Sequence, residues 1–243
     1  RRGTQAASGA PAIPMPPDEQ GYLTLLRHKL VPAVPVIQVR SWLELLASIA
    51  ALARDPQGRR TIVLDALAGI EHLLARHVCE SDFGGDWGER GFMAFYRGPA
   101  VVTRHWPALL IRLGACAEAG LNVLLIAHSR IVNFRNPDGP DYDRYEAACG
   151  SKAGGNDLWG RTRDWAEAAL FASFRAIVET SRPETNITRA RGKAIGQQRI
   201  LRCQYSAAAD AKNQYGLAAE YEMPDEPAAC AAAFWSLMKG DAQ

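Results

Sequence analysis

Arg59-Arg60-Thr61-Ile62-Val63-Leu64-Asp65-Ala66-Leu67 decides the reading of this chain. Four β-favouring residues run from Thr61 to Leu64, entered from a Pro56-Gln57-Gly58 turn and ended by a carboxylate. A short continuous apolar run of this kind reads as a strand buried on both faces, with its acid emerging at the C-terminal edge. That is the form of a Walker B strand. In such a strand the acid holds Mg²⁺, because a small hard cation takes one or two carboxylates together with phosphate oxygens. A buried strand also ends in Asp without touching a metal, so the neighbouring segments must decide between the two readings.

Working outward, Ser41 with Glu44 three residues later forms an N-terminal capping signal. It opens an amphipathic helix through Leu45, Leu46, Ile49 and Leu52 to Ala53. Past Asp65, a helix over residues 70–78 and another over 101–119, interrupted near Pro107, lead to a second apolar strand, Leu121-Asn122-Val123-Leu124-Leu125-Ile126. This strand ends at Ala127-His128-Ser129. Alternation of strand and helix predicts an α/β fold with a mostly parallel sheet flanked by helices. Ligands of such sheets bind beyond the C-terminal strand ends, so Asp65, His128 and Ser129 converge if the two strands are neighbours. A histidine at a strand end is as often a structural hydrogen-bonding group as a functional one.

Residues 22–30 carry Tyr22, Leu25, Leu26 and Leu30 at helical spacing, and residues 34–39 read as a short strand interrupted by Pro35. Residues 80–91 hold four glycines among aromatics and charges and read as a surface loop. His72 and His77 lie five apart, off one helix face, which disfavours a metal site with Cys79. The longest irregular stretch is predicted over residues 130–156, where Arg130, Arg135, Tyr142, Arg144, Tyr145 and Lys152 interleave cations with aromatics. Single-stranded nucleic acid is bound by that combination, cations following phosphates while rings stack on bases. Asp138, Asp141, Asp143 and Glu146 stand among them, and a solvated loop of mixed charge is the plainer reading. Residues 168–179 and 199–205 read as an antiparallel pair, with Arg189, Arg191 and Lys193 between them as a second basic tip. Residues 210–217 read as a polar turn, and the tail ends in a short helix with Phe234, Trp235, Leu237 and Met238.

The 243 residues, 48% hydrophobic, suffice for one α/β domain. We expect a core over residues 1–220 and a tail over 221–243. A formal charge of +2 does not by itself argue for nucleic acid. The five cysteines are scattered, odd in number and without a Cys-x-x-Cys pair, which disfavours a disulfide scaffold and a zinc ribbon. No apolar run reaches the roughly 18 residues of a membrane span. The expected location is therefore a reducing cytoplasm, with no membrane partner.

Taken together, Phe83-Gly84-Gly85-Asp86-Trp87-Gly88, the Leu124–Ser129 strand end, Asn136-Pro137-Asp138-Gly139-Pro140-Asp141-Tyr142-Asp143-Arg144-Tyr145, Trp165-Ala166-Glu167 and Asp210-Ala211-Lys212-Asn213 resemble the phage and prophage RecA-like ATPases. These are often described simply as AAA-type ATP-binding proteins, and some anneal single-stranded DNA. The resemblance implies a RecA-like P-loop core with a C-terminal antiparallel β extension, ATP and Mg²⁺ as cofactors, single-stranded DNA as partner, and a homo-oligomer. It places the phosphate loop over Arg2, Gly3 and Thr4, where Arg2 stands for the usual lysine and Gly3 for the usual hydroxyl. It assigns Glu19 as the base that orients water, Asp65 as the Mg²⁺ acid, and His128 with Ser129 as sensors of the γ-phosphate. Lys212-Asn213-Gln214-Tyr215-Gly216 is similar to a motif of the RadA ATPases, and the resemblance has Lys212 reach the nucleotide of an adjacent subunit. Two alternatives stand beside the ATPase: a non-catalytic DNA-binding or scaffold protein with a degenerate nucleotide site, and a truncated gene product.

Overall fold

The computed structural model describes residues 34–150, 157–175 and 198–239, and Ser41 starts the first helix among them. Its hydroxyl accepts from the Glu44 N–H at 3.2 Å, and Glu44 Oε2 reaches back to the Arg40 N–H at 2.7 Å. The predicted cap therefore forms, and α1 (Trp42–Arg54) buries Trp42, Leu45, Leu46 and Ile49 as one stripe. Residues 34–40 have no regular secondary structure, so the strand expected around Pro35 does not form there. A turn through Gln57 and Gly58, at φ 51° and 72°, feeds β1 (Thr61–Asp65). Asp65 joins Ala66 through a cis peptide bond, and α2 (Leu67–Asp82) follows.

A glycine-rich loop then leads to α3 (Arg97–His105) and α4 (Pro107–Glu118). Proline has no N–H and its fixed φ suits a first helical position, which is why the break falls at Trp106. Trp106 is buried, and its Nε1 donates to Thr162 Oγ1 at 2.9 Å. The chain next enters β2 (Asn122–Ile126), which lies parallel to β1 with Thr61 opposite Asn122 and Asp65 opposite Ile126. On this pair, α4 packs against β2 and α1 against α4, while α2 packs against α3.

The remaining strands follow a different rule. β3 (Ser129–Phe134) and β4 (Tyr142–Ala147) form a two-stranded hairpin. After α5 (Leu158–Trp165), β5 (Ala168–Ala169) pairs antiparallel with β8 (Lys212–Asn213). β6 (Phe171–Phe174), β7 (Arg199–Arg202) and β9 (Glu220–Met223) make an antiparallel sheet. Helix α6 (Pro227–Lys239) packs on β9. It places Leu237 in a buried cluster with Leu201, Cys203, Leu217 and Met223.

Two expectations need correction. Among the described residues the parallel sheet has two strands and most pairing is antiparallel. Among the described strands that pair, only β1 and β2 are joined by the long helical crossover that parallel pairing needs; β3 with β4 are linked by a short connection and pair directly. The irregular stretch predicted over residues 130–156 is largely the β3–β4 hairpin. Its turn is closed by Asn136, whose N–H donates to Asp141 Oδ1 at 3.1 Å and whose Oδ1 accepts from the Asp138 N–H at 3.1 Å.

The chain forms two compact units. The first holds the described residues up to Ser129 and those from Ala147 to Thr162; the second holds Arg130–Glu146 and the described residues from Arg163 onward. β9 straddles the boundary expected at residue 220, because Glu220 to Met223 pair as one strand with β7. Among the described residues no helix is long and apolar enough to cross a membrane. Cys79, Cys116 and Cys203 are buried free thiols, and Cys149 is buried too. Burial raises Cys79, Cys116 and Cys203 above the ordinary thiol value.

Candidate functional site

In the first unit, the in-register pairing brings the ends of β1 and β2 side by side. Leu64 faces inward and is buried, and the alternation of a strand then turns Asp65 to the other face, where it is exposed. Two residues beyond Ile126, His128 and Ser129 are exposed as well, with the His128 carbonyl accepting from the Ala148 N–H at 2.7 Å. The pairing thus sets Asp65 opposite Ile126, with His128 and Ser129 two and three residues further along the chain. An exposed carboxylate offers the hard oxygen donor that Mg²⁺ takes, and the rest of its shell would come from phosphate and water. Among the described residues, no group of three or more His, Cys, Asp or Glu side chains forms a metal-holding cluster. Arg2, Gly3, Thr4, Glu19 and Lys152 lie outside the described residues, as do Arg189, Arg191 and Lys193.

The second unit disposes of its charges differently. Arg144 belongs to β4, not to a loop, and is buried. Its Nε and one terminal nitrogen donate to Glu146 Oε1 at 3.0 and 2.6 Å, and the other donates to Tyr205 Oη at 3.0 Å. The guanidinium also stands 4.3 Å from the centre of the Phe134 ring. Asp210, likewise buried, lies 3.7 Å from Arg144, and both its carboxylate oxygens accept from one terminal nitrogen of Arg163 at 2.8 and 2.9 Å. Desolvation alone would lower the Arg144 pKa, but the Glu146 hydrogen bond and the Asp210 and Glu146 charges outweigh it and raise it. This cation is committed within the unit. A phosphate would have to compete with two buried carboxylates.

Lys212 is committed too. Its Nζ donates to the carbonyls of Arg163, Asp164 and Ala166 at 3.0, 3.1 and 2.8 Å. The first two are carbonyls left over in the last turn of α5 and the third lies just past it, where a cation also meets the favourable end of the helix dipole. The motif around it forms a clasp. The Gln214 N–H donates to Glu167 O at 3.1 Å, and Tyr215 Oη bonds the Glu167 carboxylate. An open cavity of about 610 Å³ lies beside this clasp, lined in part by Arg163, Tyr205, Asp210 and Lys212.

Of the other hairpin residues assigned to DNA, Arg135 and Tyr145 are exposed, and Arg130 and Tyr142 are half-buried. Tyr142 Oη meets Tyr205 Oη at 3.2 Å, and Tyr145 stacks on Phe171 at 5.1 Å. The role of Arg144 was open to a reading the sequence did allow. Arg144 and Glu146 stand two apart, and on a strand that spacing puts them on one face as a pair.

A family model described as AAA domain matches residues 27–215, well over half of the chain. No curated protein and no solved structure matches it. The matched span runs from before α1 to past β8, taking in both exposed strand ends and the clasp around Lys212. The chain therefore belongs to the AAA domain family, of the nucleotide-binding P-loop ATPase type.

Proposed function

We propose that this chain is a RecA-like ATPase of phage or prophage type that binds ATP with Mg²⁺ in a homo-oligomer and acts on single-stranded DNA in recombination or annealing. One observation carries the nucleotide part: an exposed acid ends a parallel strand whose in-register neighbour leads to exposed His128 and Ser129, inside an AAA-domain match. In this reading Asp65 would hold Mg²⁺, which when bound would supply electrostatic stabilisation of the phosphate charge. His128 and Ser129 meet the terminal phosphate, Glu19 orients water, and Arg2, Gly3 and Thr4 occupy the phosphate-loop positions. The DNA part is supported by the resemblance in its motifs. Of its assigned cations, Arg144 is taken up internally, so Arg130, Arg135 and Lys152 remain the candidates.

Equilibrium titration with labelled ATP and Mg²⁺ tests the first part. We expect measurable binding that falls at least about tenfold in Asp65→Ala, since a metal ligand is removed. Equal affinity in the two proteins would sink the Mg²⁺ assignment. Binding without turnover would favour the non-catalytic alternative. For the second part, oligo-dT binding should weaken in Arg135→Ala and lessen with added salt.

A further inference from the structure

We propose that the open cavity beside the Lys212 clasp binds a nucleobase. Its volume of about 610 Å³ is that of a small-molecule site, and its whole lining belongs to the second unit. The charges around it cancel and are already in use. Arg163 and Lys212 stand against Asp164 and Asp210. One terminal nitrogen of Arg163 serves both Asp210 oxygens, the other meets Asp164 Oδ1 at 3.2 Å, and Lys212 is held by three carbonyls. A phosphate or a cation would have to displace one of these partners, so the ligand that fits is uncharged.

Flat surface and an amide edge are what the cavity presents instead. Tyr205 lines it and is 55% exposed, yet its hydroxyl is tied to Arg144 at 3.0 Å and to Tyr142 at 3.2 Å. The ring is therefore set in place before anything binds, which lowers the entropic cost of stacking on it. Arg163 adds a second plane, its guanidinium fixed by the two aspartates. Bases stack on tyrosine rings and on guanidinium planes alike.

Gln204, also in the lining, supplies the edge. Its Nε2 donates to the Leu217 carbonyl at 2.9 Å, which fixes the amide. Among the described residues its Oε1 and second N–H have no hydrogen-bond partner. One acceptor beside one donor is how a glutamine reads the edge of a base. A purely apolar ring would fill the space but leave that pair unmatched once water is displaced. The site contains neither Asp65 nor any cation assigned to DNA above, so it goes beyond both readings. A base reaches it either as a free nucleoside or as part of a single strand.

Calorimetric titration of the full chain without Mg²⁺ tests this, using adenosine, thymidine, oligo-dT and an abasic oligonucleotide of the same length. The nucleosides carry no phosphate, so their binding is separate from the ATP reading. We expect the nucleosides to bind, and oligo-dT to bind more tightly than the abasic strand. Gln204→Leu and Tyr205→Leu should each weaken this base-dependent binding at least about fivefold. Tyr205→Phe keeps the ring and should keep the binding, and Gln204→Leu serves if Tyr205→Leu fails to fold. Binding of oligo-dT alone, lost in the same variants, would identify a strand as the source of the base and support the site. No nucleoside binding together with equal binding of oligo-dT and the abasic strand would overturn the proposal. So would base-dependent binding that is unchanged in Gln204→Leu.

Discussion

The strand ends of the first unit and the charge network of the second hold the same residue types in opposite circumstances. Asp65 ends its strand exposed, while Asp210 is buried between Arg144 and Arg163. An exposed carboxylate keeps its lone pairs for a ligand. A buried one is spent on its neighbours, because leaving it unmatched in a low-dielectric interior is costly. The contrast teaches that a charged residue in a promising motif is a candidate for chemistry only where the fold leaves it accessible. By that measure Asp65, His128 and Ser129 keep their standing, and Arg144 and Lys212 serve first as structure.

Breaking the network should have the largest effect on stability. Arg144→Met takes from Glu146 the guanidinium it bonds and leaves Asp210 with Arg163 alone, and we expect a loss of about 3–5 kcal/mol in urea unfolding. The double variant Arg144→Met/Glu146→Leu should recover much of it. A smaller loss, about 1–3 kcal/mol, is expected for Lys212→Met, which uncovers three carbonyls held by a charged donor. An unchanged melt in that variant would return Lys212 to the nucleotide.

Tyr215 gives a finer test through pH. Its hydrogen bond to Glu167, then burial, then the Glu167 charge raise the phenol from 10 to about 12. A raised folded value means that the stabilisation is fully present below pH 10 and is lost as pH climbs through about 12. Tyr215→Phe should flatten that part of the stability curve, and phenolate absorbance should lose a late-titrating tyrosine. The smallest change in stability belongs to Asp65→Ala, within about 0.5 kcal/mol as for other exposed sites. A large loss of stability there would place Asp65 with the structural carboxylates and erase the contrast.

Much of the first unit was legible because its signals are local. Ser41 and Glu44 cap α1, Pro107 interrupts the helical run, and β1 and β2 are apolar runs of strand length. The antiparallel pairing of β6 with β7 was legible too. The β3–β4 hairpin was missed because its inward face carries charge. Arg144 and Glu146 occupy positions where a strand pattern leads one to expect apolar side chains, and only the partners across the fold explain their burial. Lys212 was misleading for a related reason, since its acceptors are backbone carbonyls that no side-chain pattern records.

The two units also interleave along the chain, which passes from one to the other at residues 129/130, 146/147 and 162/163. No single cut therefore releases either unit intact and free of the other. Nicking within α5 would leave the N-terminal fragment holding parts of both, and a fragment ending at residue 129 would lack the part of its own unit that begins at Ala147. Neither half can finish folding as the chain emerges from the ribosome until the segment beyond residue 147 has followed, so synthesis order and assembly order differ in this molecule.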